Sequence, residues 1–215
     1  HWVVSLPSTW CYYIQFIDGI RSYFHPDVNS SIRFHPIDYS HILKEKEESI
    51  FSWLAGMGHQ SIRKWICSYI LDVLAMTHKD RALVEGDFLY DFDQLVTSKY
   101  DRINASHPES KKILFGHSLG SILGFRFTWK RQFDTLITAG SPFNYFSVAY
   151  KDFGQMNPSL PKFYNFWKKY DQVATIISRN PNFRMVHDIQ VKSWNPLNWF
   201  TAKSHSAYWA DRFLH

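Results

Sequence analysis

Near the middle of the chain, Gly116-His117-Ser118-Leu119-Gly120 sets a serine between two glycines in a G-x-S-x-G pattern. Three apolar residues, Ile113-Leu114-Phe115, run into it, and Leu119, Ile122, Leu123 and Phe127 follow at helical spacing. That context predicts a strand, a sharp turn and a helix, the arrangement that displays a serine hydroxyl as a nucleophile. The turn forces Ser118 into a strained backbone conformation, and side chains larger than hydrogen at Gly116 and Gly120 would collide with the neighbouring elements. Gly124, one turn on, is expected to let the helix press against the sheet. Ser121 is expected to face away from the site, so that Ser121→Ala would stay active.

A serine hydroxyl is a poor nucleophile until a base takes its proton, and a carboxylate must hold that base in the right tautomer. Both follow Ser118, first the acid and then the histidine. Residues 163–167 read as a strand and 168–174 as the loop at its C-terminal end, where acids of α/β sheets converge on a ligand. Asp171 is therefore the candidate acid. Residues 186–191 read as the last strand, after which Ser204-His205-Ser206 supplies His205 as the candidate base. Asp188 sits inside that strand, where alternation puts it on one face, away from the edge that displays Ser118. It is read as structural.

The elements that must position these groups are short. Apolar runs at 2–5, 32–35, 113–115, 136–139, 163–167 and 186–191 read as buried parallel strands, and helical patterns at 45–54, 62–76 and 83–103 lie between them. Alternating strands and helices predict the α/β class, a three-layer sandwich with a mostly parallel sheet. The chain reads as one domain over 1–215. Residues 40–112 exceed what one crossover needs and are expected to form a helical insert; as a cap it would bring Phe51, Trp53, Trp65 and Tyr69 to an acyl pocket, the alternative being that these aromatics are ordinary core.

Composition narrows the function classes. With 215 residues, 45% of them apolar and 18% aromatic, the chain can bury a sizeable core and is not a disordered segment. The longest apolar stretch, 65–76, is broken by Ser68 and Asp72 and falls short of the roughly 20 residues that cross a bilayer, so no transmembrane helix is expected. The first residues lack the order of a signal peptide. A net charge of +5 allows peripheral contact with an anionic membrane, but the basic residues are scattered in pairs such as Lys130-Arg131, which argues against nucleic-acid binding. Cys11 and Cys67 lack metal-ligand spacing and read as free thiols of a reducing compartment, the cytoplasm, with a single disulfide as the alternative. His25, His35 and His41 read as loop residues rather than a zinc site.

Four blocks carry a resemblance: Phe115-Gly116-His117-Ser118-Leu119-Gly120-Ser121; Ile137-Thr138-Ala139-Gly140-Ser141-Pro142; Asn165-Phe166-Trp167 with Asp171-Gln172-Val173-Ala174; and His205-Ser206-Ala207-Tyr208-Trp209. Together they resemble the α/β-hydrolase superfamily, and within it bacterial and phage-type lipase- or esterase-like serine hydrolases. The resemblance spans 113–209 and implies Ser118 as nucleophile, Asp171 as acid and His205 as base. It implies a small-molecule ester or lipid substrate, and no metal or organic cofactor. The N–H of Leu119, just after the nucleophile, supplies the first oxyanion donor. Such enzymes usually carry His-Gly after the first strand; here Ser5-Leu6-Pro7-Ser8 stands instead, and since Pro7 has no N–H, Leu6 or Ser8 is the candidate second donor. The expected activity is hydrolysis of a carboxylic ester through an acyl-enzyme. The alternative is a catalytically weak or inactive scaffold that binds a lipid or a protein partner.

Overall fold

Each of the six apolar runs forms a strand in the computed structural model, which describes residues 2–5, 17–18, 21–22, 25–38, 88–149, 155–171, 173–192, 205 and 208. The strands are β1 (Trp2–Ser5), β2 (Phe34–Ile37), β3 (Ile113–His117), β4 (Thr135–Ala139), β5 (Phe163–Trp167) and β6 (His187–Gln190). They form one sheet in the order β2-β1-β3-β4-β5-β6, and every neighbouring pair is parallel. Among the described residues, the helices with a full range are α1 (Pro26–Ser31), α2 (Phe88–Ser106), α3 (Leu119–Thr128) and α4 (Phe143–Ala149), with single 3₁₀ turns at Ile177–Arg179 and Pro181–Phe183. Parallel pairing is why the central strands read as unbroken apolar runs: Leu114, Phe115 and Leu136 are all buried.

β2 begins and ends two residues later than its apolar run suggests, and it contains Pro36. Proline cannot donate to a ladder, but β2 is the edge of the sheet, where that loss is tolerated. His35 therefore lies in a strand rather than a loop, and His25 caps the start of α1.

The chain divides into two compact units, 1–37 with 109–215, and 38–108. In the second unit, α2 buries Phe92, Val96, Tyr100 and Ile103 along one stripe. The helical patterns at 45–54 and 62–76, and with them Phe51, Trp53, Trp65 and Tyr69, lie outside the described residues, as do Cys11, Cys67 and His41. Among the described residues no helix is long and apolar enough to cross a membrane.

In the first unit both faces of the sheet are covered. On one, Phe115, Ala139, Ile17, Val191 and Tyr208 form a cluster. On the other, the aromatic surplus of the sequence is spent on packing: the ring of Phe143 lies 4.8 Å from those of Phe125 and Phe183, in edge-on contacts, and Phe163 stacks 6.0 Å from Phe125. Gly124 of α3 faces Leu114 and Leu136 there. A Cβ on Gly124 would meet Leu114 at 3.4 Å, an ordinary contact, so the expected need for glycine at this position is not borne out.

A row of polar side chains crosses the α3 face. Thr138, Asn165 and Asp188 are register partners on β4, β5 and β6. The Thr138 hydroxyl donates to Asn165 Oδ1 at 2.9 Å, and the Asn165 amide donates to Asp188 and, at 2.8 Å, to the Thr175 carbonyl. The Asp188 carboxylate also accepts the N–H groups of Ile177 and Ser178, at 3.0 and 2.8 Å, which pins the first 3₁₀ turn to β6. Asp188→Ala strands three buried or half-buried donors at once. Urea denaturation is expected to show a loss of about 1–3 kcal/mol; an unchanged midpoint would show that this clamp is dispensable.

Candidate active site

Ser118 stands where β3 hands over to α3, with φ 52° and ψ −126°, and it is the one non-glycine residue with positive φ among the described residues. Such a conformation persists only where the surroundings enforce it. Its N–H donates to the Ala139 carbonyl at 3.0 Å, and its carbonyl accepts the N–H of Ser121 at 2.9 Å. A side chain on Gly116 would run into the Gly120 carbonyl and come within 2.6 Å of Ser121 Cα, so backbone alone dictates glycine there.

Ser121 does not face away from this turn. It is fully buried, its hydroxyl donates back to the Ser118 carbonyl, and it lies 2.6 Å from the Ser141 hydroxyl. At three residues' spacing in the first turn of a helix, a serine can fold back onto the carbonyl before it. Ser121 is thus part of what holds the strained turn, a hold that Ser121→Ala removes.

Asp171 lies four residues past the end of β5 in a turn closed by its own N–H on the Lys168 carbonyl, at 3.2 Å. Its side chain is buried and its two oxygens lie 2.9 and 3.1 Å from Nδ1 of His205. The N–H of Val173 donates to Oδ1 at 2.9 Å and the hydroxyl of Tyr208 to Oδ2 at 2.8 Å. Burial pushes the carboxyl upward, but the hydrogen bond and charge of His205, then Tyr208 and Val173, outweigh it and hold Asp171 below its ordinary value. An ionised carboxylate only accepts, so Nδ1 of His205 carries the proton. When the ring is neutral, Nε2 is then the lone-pair nitrogen, as a base requires.

Two residues near Ser118 pack against the His205 ring. Gly140, at φ 58°, leaves the chain at the end of β4, and a Cβ there would stand 2.9 Å from Cε1 of His205. The imidazole therefore lies on the backbone of Gly140, next to Ala139, whose carbonyl holds Ser118. His117, immediately before Ser118, has its ring centroid 4.8 Å from that of His205, and its Nε2 is 2.9 Å from the His205 carbonyl. A carbonyl can only accept, so Nε2 of His117 carries a proton. Burial, and then the neighbouring His205, push its pKa down to about 3. Among the described residues no hydrogen bond joins the Ser118 hydroxyl to His205; such pairs commonly tighten only around substrate.

The structure thus gathers Ser118, Asp171 and His205 at the C-terminal edge of the sheet. Leu119 opens α3, so its N–H is one of those that no carbonyl within the helix accepts. Leu6 and Ser8 lie outside the described residues. Asp188 is taken up by Asn165, Ile177 and Ser178. Two contributors carry no role in the sequence reading: Gly140, and Tyr208, three residues after His205. Both lie inside blocks that carry the resemblance, one at a strand end and one in a His-x-x-Tyr spacing, with no role attached to either.

Comparison with models of known families finds no match, and no curated protein sequence matches the chain. The chemistry must therefore be read from these side chains.

His117 makes the fold sensitive to acid. Folded, it stays neutral down to about 3; unfolded, it takes a proton below its ordinary 6.5. In that window the unfolded chain binds more protons, so stability falls as pH falls, by up to about 1.4 kcal/mol per pH unit. Asp171, held below its ordinary value, adds a loss that begins as pH falls below the ordinary carboxylate range and is complete once its folded carboxylate is protonated. His117→Gln, which keeps a donor but cannot titrate, should flatten thermal melting against pH between about 6.5 and 3. Parallel profiles for the two proteins would contradict this.

Proposed function

We propose that the chain is a serine hydrolase of the α/β-hydrolase type, cleaving a carboxylic ester of a small molecule or lipid with Ser118, His205 and Asp171 as nucleophile, base and acid. One observation carries the reading: a buried, ionised Asp171 fixes the Nδ1–H tautomer of His205 beside a serine held at positive φ on the same sheet edge. The position supports it too. β1 connects to β2 on one side of it and β3 leads to β4 on the other, so Ser118 lies where the strand order reverses, the crevice in which open α/β sheets bind ligands. The same order, with α3 packed on one face of the sheet and the Phe115 cluster on the other, supports a three-layer arrangement.

In this mechanism Nε2 of His205 takes the Ser118 proton as Oγ attacks the ester carbonyl carbon. The oxyanion that forms sits against the N–H of Leu119, at the electropositive start of α3, with Leu6 or Ser8 as second donor. His205 returns the proton to the leaving alkoxide, and the acyl group stays on Oγ. Water, deprotonated by the same Nε2, then attacks the acyl-enzyme; the acid leaves and Ser118 regains its proton. Asp171 balances the imidazolium charge in both halves.

A second reading, a binding module with an unreactive serine, draws on the missing bond between Ser118 and His205. Hydrolysis of p-nitrophenyl esters of graded chain length separates the two. Ser118→Ala should abolish turnover with melting within a few degrees of wild type, and a folded but inactive wild type would favour the binding module. Asp171→Asn should cost on the order of 10⁴ in rate through the wrong tautomer, whereas Asp188→Asn should lose stability and keep turnover. The reverse pattern would put the acid at Asp188.

A further inference from the structure

The hydroxyl of Tyr208 occupies the inside of the turn that carries Asp171. It accepts the N–H of Lys168 at 3.0 Å, the first residue of the turn, and donates to Oδ2 of Asp171 at 2.8 Å, the last. The side chain is fully buried, so water cannot replace either bond. A phenol has one proton, and Asp171 receives it. Oδ2 is also the oxygen nearest Nδ1 of His205, while Oδ1 takes the N–H of Val173. The ring of Tyr208 stands edge-on to His117 at 5.7 Å, lies under the Lys168 ammonium at 4.7 Å, and sits 3.0 Å from where a Gly140 Cβ would be. One side chain therefore touches the acid turn, the β4 exit and the residue before Ser118.

We propose that Tyr208 is a positioning residue of this site: its hydroxyl fixes the rotamer of the Asp171 carboxylate against His205 and ties the acid turn to the segment that carries the base. This rests on the hydrolase reading. A purely structural role would belong to the ring, whose contacts phenylalanine keeps. The positioning role belongs to the hydroxyl, which phenylalanine removes. Without it, Asp171 loses a donor to its charged form and a stop against rotation, and the Lys168 N–H loses its acceptor.

The test compares wild type, Tyr208→Phe, Asp171→Asn and the double variant. The rate at which a fluorophosphonate labels Ser118 is measured across pH, and the Asp171 carboxyl is titrated by ¹³C NMR. Tyr208→Phe should slow labelling by about tenfold or more and raise the titration midpoint of Asp171. In the Asp171→Asn background the same change should have no further effect on labelling, because Tyr208 acts through Asp171. Fluorotyrosine placed at position 208, a stronger donor with the ring intact, should move the Asp171 midpoint the opposite way and gives a readout if Tyr208→Phe does not fold. Wild-type labelling and an unmoved Asp171 midpoint in Tyr208→Phe would overturn the proposal, as would an equal slowing with and without Asp171. If wild type itself is not labelled, the hydrolase reading fails and the titration alone decides: a shifted midpoint upholds the coupling, an unmoved one ends it.

Discussion

A carboxylate taken out of water is tolerated only if its oxygens find donors, since an isolated buried charge is several kcal/mol unfavourable. Asp171 is buried, and three groups from two stretches of chain converge on it: the Val173 N–H of its own loop, and the Tyr208 hydroxyl and Nδ1 of His205 from a distant segment. That requirement orders the rest of the site. It sets the tautomer of His205, and it draws residues 205 and 208 onto the edge formed by β4 and β5. It also selects glycine at position 140, where the imidazole lies against the backbone.

The sheet places this cluster beside Ser118 through parallel pairing. With every strand pointing the same way, the exits of β3, β4 and β5 share one edge, so Ser118, Gly140 and Asp171 leave the sheet side by side. Hydrogen bonds then join the exits directly: Ser118 N–H to the Ala139 carbonyl, Gly140 N–H to the Phe166 carbonyl, and Thr175 N–H to the Ser141 carbonyl. Asp188 stiffens the same loop from the far end by holding Ile177 and Ser178. The positive φ of Ser118 persists because its N–H and carbonyl are both engaged and because Gly116 leaves room for Gly120.

Most of the sheet was legible in the sequence because parallel strands are buried on both faces and show as short apolar runs. Their ends were less so: His117 continues β3 although it is polar, and Pro36 lies within β2 because an edge strand can spare a donor. The strained serine and Gly116 were readable because G-x-S-x-G between a strand and a helix leaves few backbone choices, and Asp171 because it clears the end of an apolar strand. For Ser121, helical spacing gives a direction but not the fold-back of a short hydroxyl onto the preceding carbonyl. Tyr208 and Gly140 stayed hidden for a different reason. Their roles arise from contacts between distant segments, Tyr208 with Lys168 and Asp171, Gly140 with His205, and no local periodicity encodes them.

The central claim is that this edge makes Ser118, and no other serine, reactive. Mass mapping of the intact protein after exposure to a fluorophosphonate ester tests it most directly, because phosphonylation needs an activated hydroxyl but not the natural substrate. A single adduct on the peptide containing Ser118, absent when His205 is replaced by alanine in a protein that still folds, is the predicted result. No adduct on the folded wild-type chain, or an adduct on Ser118 that persists without His205, would contradict it.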